Sequence, residues 1–315
     1  MTVKKRLSPP VVFLAPGGGL GHIVRASAVA LQLEKKEIPT LIVTTSGWAE
    51  GLGRITGLAM TVIPQEKWGG DIERYLDHIR PGLIIQDAFP FGFKNEDLSA
   101  LAERIPFIYF ARVLKLSHYL KTLNKVWEND SPLLSTIIKI EPLPVEQNAS
   151  INNSGQRLFE LERRICFPFE DFVIKRPPLL ERLLDESNVH LVVHSGPAHE
   201  IKLLVKKAEM TIKGDGQGEI AVINPQFFRQ GVKNAFDYFP AAALYSRAYQ
   251  IYSGGGYNAV AEQDACSGKV TRIPFDRYYD DQAFRIRPDL EKVTASMTGT
   301  QQATEIISGL YDELI

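Results

Sequence analysis

Residues 11–36 read VVFLAPGGGLGHIVRASAVALQLEKK, and the change of period inside this stretch decides the fold. Val11–Ala15 is an unbroken apolar run, the pattern of a parallel strand covered on both faces. A glycine turn follows, and from Ile23 to Lys36 the residues Ala26, Val29, Ala30 and Leu33 recur at helical spacing. Strand, glycine turn and helix open a βαβ unit. The first half repeats the theme with strands at Leu41–Thr45, Leu83–Ile85 and Pro106–Phe110. A second series runs through Val189–Val193, Glu219–Ile223, Gln250–Tyr252 and Val270–Ile273. Strands separated by helices of this length predict an α/β protein with two doubly wound, Rossmann-like domains in succession. Sequence from about 127 to 166 turns polar and rich in Asn and Pro, and reads as a connector with partial helix. Thr211–Gly218 reads as a polar, turn-rich insertion. The expected domains are therefore 1–165, with its linker from about 128, and 166–315. The cleft between two such domains is the default ligand site.

Composition narrows the function classes. Lys and Arg number 36 against 37 Asp and Glu, a formal net charge of −1, so no overall field favours nucleic acid or an anionic membrane. A phosphate must be held by a local site. The two cysteines, Cys166 and Cys266, lack the paired spacing of a zinc site or a disulfide framework. No stretch approaches the ~20 apolar residues of a membrane-spanning helix. The apolar run behind Lys4, Lys5 and Arg6 is too short for a signal peptide, so a cytoplasmic protein is expected. Arg112–Trp127 has the pattern of a basic amphipathic helix, suited either to cover the first domain or to touch a membrane surface peripherally.

Pro16–His22 lies between the first strand and its helix. Glycines there leave amide N–H groups unobstructed, and a helix N-terminus adds positive potential, so an anion is favoured. A dinucleotide fingerprint fails, because the sixth position from Gly17 is His22 and Thr44-Thr45-Ser46 offers no carboxylate for a ribose. A Walker A loop fails for want of Gly-Lys-Ser/Thr. His22 titrates near neutral pH and suits a general base. Asp87 stands at the end of the Leu83 strand, where α/β sites assemble. The second half has its own glycine turn, Ser253-Gly254-Gly255-Gly256-Tyr257-Asn258, again between a strand and a helix and suited to a diphosphate. The three histidines His190, His194 and His199 show no firm metal-ligand spacing.

GGGLGHIVRASAVA (17–30) resembles the glycine-rich, histidine-ended loop of GT-B glycosyltransferases, in particular family 28, which includes the lipid II-forming N-acetylglucosaminyltransferase. PGLIIQDAFPFG (81–92) and the GGYN run at 255–258 are similar to segments of uncharacterised glycosyltransferase-like proteins. The resemblance implies that His22 is the base and that Asp87 orients it. It implies that Gly18, Gly19, Ser195, Gly196, Gly254, Gly255, Gly256 and Asn258 lie along the donor, and that Glu262, six positions after Gly256, takes the ribose hydroxyls. Asp281 and Gln282 match the pair that reads the sugar, and Arg112 is an acceptor-side candidate. Pro197 departs from the family's small-residue turn and removes one amide donor.

These features lead to the expectation of an inverting, metal-independent glycosyltransferase with a nucleotide-sugar donor, UDP-sugar favoured, no cofactor and an unknown hydroxyl acceptor. Asp280 and Asp281 are adjacent rather than spaced as an Asp-x-Asp metal motif. The alternatives are a nucleotide-sugar hydrolase or epimerase of the same fold, or a non-catalytic nucleotide-sugar-binding subunit. The GHIVR run (21–25) also resembles the nucleotide-sugar hydrolase of pseudaminic acid synthesis, which keeps water among the acceptors.

Overall fold

The computed structural model describes residues 8–93, 98–127, 135–172, 174–264, 268–287 and 297–314. Cys266 lies outside them. The chain divides into two compact units, one holding residues up to Phe167, the excursion Tyr278–Asp281 and the C-terminal helix, the other holding the remainder.

The first unit is built on seven parallel strands. They are β1 (Val11–Ala15), β2 (Thr40–Thr44), β3 (Met60–Val62), β4 (Leu83–Asp87), β5 (Phe107–Ala111), β6 (Thr136–Lys139) and β7 (Arg157–Glu160), in the order β3-β2-β1-β4-β5-β6-β7. β1, β4 and β5 are buried along their whole length. Their continuous apolar character comes from cover on both faces, as the sequence pattern requires. The strand order reverses direction between β1 and β4, paired Val11↔Leu83 through Leu14↔Gln86. Ligands of open parallel sheets sit at the carboxyl ends beside such a reversal.

The second unit repeats the design with five parallel strands: β8 (Val189–Val193), β9 (Glu219–Ile223), β10 (Ala235–Phe236), β11 (Gln250–Gly254) and β12 (Lys269–Ile273). Their order is β10-β9-β8-β11-β12, with the reversal between β8 and β11.

Four expectations need correction. The connector foreseen from about 128 holds β6, the helix Val145–Asn152 and β7, which widen the first sheet; residues 128–134 lie outside the described ones. β6 and β7 are four residues each, and β7 is mostly exposed at the sheet edge, so neither shows the apolar run that marks a buried strand. Thr211–Gly218 is largely helical: the helix Ala198–Asp215 runs through it and stops at Gly216, which takes the left-handed conformation (φ 83°) that ends helices cheaply. Only Leu116–Leu123 of the expected 112–127 helix is regular. Its Leu116 and Tyr119, with Trp127, are buried in this unit's own core. Finally, the last helix belongs to the first unit. No helix among the described residues is long and apolar enough to cross a membrane.

That last helix, Gly299–Asp312, begins with a capping box in which Thr298 and Gln301 satisfy each other's backbone amides. It buries Ala303, Ile307, Leu310 and Tyr311 and packs on the helix Leu20–Lys35. The Tyr311 hydroxyl donates to the Pro9 carbonyl at 2.6 Å. Truncating Ile307, which is fully buried, to alanine removes about three carbons from this seam and should cost about 2–5 kcal/mol. Urea unfolding followed by a probe in the first unit checks it; an unchanged transition would mean that the helix adds nothing there.

Candidate active site

His22 lies in the first turn of the helix Leu20–Lys35, which starts where β1 ends. Its Nδ1 is 2.7 Å from Asp87 Oδ2. Asp87 is the last residue of β4, the strand beside β1, so the reversal point itself brings the two together. Arg25 stands one helical turn after His22 and grips the same carboxylate, Nε to Oδ1 at 3.1 Å and Nη2 to Oδ2 at 2.6 Å. Arg25 and Asp87 are both almost fully buried. Burial alone would raise the Asp87 carboxyl, but the Arg25 charge and then His22 outweigh it and hold Asp87 well below the usual carboxylate range. Asp87 is thus an ionised acceptor, which puts the His22 proton on Nδ1 and the lone pair on Nε2. Burial keeps the imidazole below its ordinary value, against the opposing pull of Asp87. Its Nε2 has no hydrogen-bond partner among the described residues.

Two backbone features hold that ring. Gly17 adopts φ 143°, and a Cβ there would lie 3.0 Å from His22 Cδ2, so only glycine lets the ring lie against the loop. Ala88 takes the left-handed conformation at φ 73°, a costly state for a residue with a Cβ. The turn it makes brings Phe89 face to face with His22, ring centroids 5.9 Å apart and 14° from parallel. Gly18 and Gly19, by contrast, are exposed and face open space.

Aromatic side chains continue outward from Phe89. It meets Phe93, Tyr119 and Tyr279 at 5.1–5.7 Å, and Tyr278 packs on His118 at 4.5 Å. Arg112 is buried and donates to Asp280 at 2.8 Å. Its charge reaches His22 and pushes the imidazole in the same direction as burial.

In the second unit the glycine turn 254–256 follows β11. Gly255 donates its N–H to Gln282 Oε1 at 3.0 Å, and Phe275 N–H reaches the same oxygen at 3.0 Å. Arg285 donates to the Gly255 carbonyl at 3.0 Å. A Cβ on Gly255 would sit 2.9 Å from Ile286, whereas Gly256 faces open space. Gln282 is therefore a buried brace between two loops, with its carbonyl oxygen committed to backbone. Asp281, its expected partner, ends the excursion that belongs to the first unit. Asn258 is half-buried in the first turn of the helix Tyr257–Asp264. Glu262, on the same helix, accepts from the Tyr245 hydroxyl at 3.2 Å. Burial pushes its carboxyl up to about 7, against that hydrogen bond. Ser195 is exposed after β8, and Gly196 beside it lies against His194 and Glu200. His190 is buried with Nδ1 3.0 Å from the Tyr252 hydroxyl. No three His, Cys, Asp or Glu come together as a metal site among the described residues.

No protein-family model matches the chain, and no curated protein matches its sequence. Solved structures do match its fold over both units. A UGT of Glycyrrhiza uralensis complexed with glycyrrhetinic acid 3-O-monoglucuronide superposes with a TM-score of 0.57 at 12% identity, covering 97% of this chain and 87% of that one. The fold is GT-B. The UDP-GlcNAc 2-epimerase of Neisseria meningitidis bound to UDP-GlcNAc gives 0.56 at 13% identity, with 96% and 91% covered. The glycosyltransferase SsfS6 of Streptomyces sp. SF2575, complexed with thymidine diphosphate, gives 0.51 at 14% identity, with 85% and 82% covered.

Arg25 escaped the sequence reading, as did Glu200 and Arg277 in the second unit. A lone arginine among Ile23, Val24, Ala26 and Ala28 on a buried helix face needs a carboxylate, and that was the available signal. Replacing it by methionine leaves Asp87 buried without its counter-charge. Arg25→Met should lower the stability of the first unit by about 3–5 kcal/mol at neutral pH, as measured by chemical denaturation. A loss under 1 kcal/mol would show that Asp87 is not held by this pair.

Proposed function

We propose that this protein transfers a sugar from a nucleoside diphosphate, UDP-sugar favoured, to a hydroxyl acceptor with inversion. The observation that carries the reading is the His22–Asp87 pair at the β1/β4 reversal, its Nδ1 tied and its Nε2 uncommitted. In the proposed step His22 Nε2 takes the acceptor hydroxyl's proton as that oxygen attacks the anomeric carbon. The bond from the anomeric carbon to the β-phosphate oxygen breaks, and its electrons leave with the diphosphate. Asp87 keeps the imidazole in the right tautomer and stabilises the imidazolium. Arg25 is a positioning residue that fixes Asp87. On the donor side, the proposal gives the diphosphate to the backbone around Gly256, Ser195 and Asn258, and the ribose hydroxyls to Glu262. The UDP-GlcNAc and thymidine diphosphate held by two proteins of this fold support such a donor. Phe93, Tyr278, Tyr279 and His118, around Phe89, support an acceptor with an apolar or ring face.

A second reading, epimerisation of a nucleotide sugar, is supported by the epimerase among the proteins of this fold. Mass spectrometry separates the two. Transfer releases nucleoside diphosphate in step with a glycosylated acceptor, or with free sugar if water is the acceptor; epimerisation changes the sugar and keeps the nucleotide attached.

His22→Ala should retain nucleotide binding and lose at least about 10²-fold in kcat, the ordinary contribution of a general base. The base works only when neutral, so kcat/KM should fall as pH drops through a midpoint below 6.5, the direction in which burial moves this imidazole. Unchanged turnover in His22→Ala would remove the assignment. Metal independence belongs to the same proposal: EDTA should leave the rate unchanged, and a rate restored only by a divalent ion would refute that part.

A further inference from the structure

Beside the second glycine turn lies an ionisable triad with no part in the scheme above. His194 is the first residue after β8, and Gly254 ends β11. The register pairs Val193 with Ser253, so the two residues stand side by side at the second reversal point. The imidazole lies flat on Gly254: a Cβ there would be 2.9 Å from His194 Cε1 and 3.1 Å from Nδ1. A Cβ on Gly196 would overlap His194 Nε2 and Glu200 Oε2. Two glycines read from sequence as phosphate-loop residues thus share a second reason to be glycine, because one ring passes between them.

The ring is fixed on every side except one. Its Nε2 is 2.6 Å from Glu200 Oε2. Arg277 grips Glu200 with both nitrogens, at 2.5 and 2.6 Å. Phe275 packs on the imidazole at 5.0 Å between centroids, and Asn224 donates to the His194 carbonyl at 2.8 Å. The side chain is nine-tenths buried, with 10% of its surface exposed. Nδ1 makes no hydrogen bond among the described residues.

The charges decide what that nitrogen is for. Burial would raise the Glu200 carboxyl, but hydrogen bonds from Arg277 and His194 prevail and keep it ionised, so Arg277 already answers its charge. Burial lowers His194, against the pull of Glu200, which leaves a neutral ring with its proton on Nε2 and a lone pair on Nδ1. A phosphate oxygen beside Gly254 would meet that lone pair unfavourably. Once Nδ1 is protonated, the same atom becomes a charged donor with Glu200 as its counter-ion. We propose that His194 is a phosphate ligand of the second unit, its Nδ1 gaining a proton as a nucleoside diphosphate binds beside Gly254. Glu200, from the helix Ala198–Asp215, and Arg277, from the loop after β12, are the titratable and charged groups facing the ring. The neighbours it has on β11 and before the helix Pro225–Arg229, Gly254 and Asn224, do not titrate. The inference rests on the reading that this unit binds nucleoside diphosphates.

Histidine ring NMR on the wild-type protein tests it, with His194 assigned through bonds and by its absence in His194→Gln. UDP should raise the His194 titration midpoint by one pH unit or more, while uridine, which carries no phosphate, should leave it in place. His194→Gln should weaken UDP by a factor that grows as pH falls and reaches about 10-fold below the free-state midpoint, the equivalent of a one-unit shift, and should leave uridine affinity unchanged. UDP that binds without moving the midpoint overturns the inference and leaves the nucleotide reading standing. If neither UDP nor thymidine diphosphate binds, the nucleotide reading fails and the inference falls with it.

Discussion

The Asp87 carboxylate is carried into the interior of the first unit at the end of a fully buried strand, and the surrounding geometry follows from how that charge is answered. A lone buried carboxylate would be protonated. Arg25 prevents this by binding both oxygens, and one of those oxygens still accepts from His22. Helix spacing makes the arrangement compact, since residues three apart on one helix face the same neighbour. The helix therefore presents a cation for charge balance and an imidazole to a single acceptor. Such a pair is weak evidence of net stability, because its desolvation is costly. Its effect is to fix a tautomer and a ring orientation.

Much of this was legible in the sequence, for identifiable reasons. β1 and β8 begin and end with their apolar runs, because strands buried on both faces tolerate few polar residues. β4 and β11 run two residues further than the apolar pattern, through Gln86-Asp87 and Ser253-Gly254. Those extra residues are the ones that bring the polar groups to the sheet edge. β6 and β7 were missed because short strands with Thr136, Lys139, Arg157 and Glu160 at their ends carry no apolar signature. His22 was readable from its glycine loop. Arg25 was not, since nothing local says which carboxylate, 62 residues away, will meet it.

The second unit shows a different limit. Its glycine turn suggested exposed amides, yet the Gly255 amide is spent on Gln282, and Gly254 and Gly255 are pressed by His194, Gln282 and Ile286. Glycine there serves close packing as much as ligand approach, and sequence cannot separate the two. The same holds for Gln282: its amide suits hydroxyl recognition, but its neighbours turn its oxygen to the backbone.

The C-terminal helix has a consequence for anyone who recombines proteins of this fold. Neither unit is one continuous piece of chain: the first is completed by residues that come after the second. A chimera made by a single crossover after Phe167 would bring a foreign final helix to the Leu20–Lys35 helix, whose N-terminal turn carries His22. An exchange of the second sheet alone therefore needs two junctions, with the segment from Thr298 inherited together with β1. Shuffling libraries that cut once would lose stability at this seam whatever second sheet they carry.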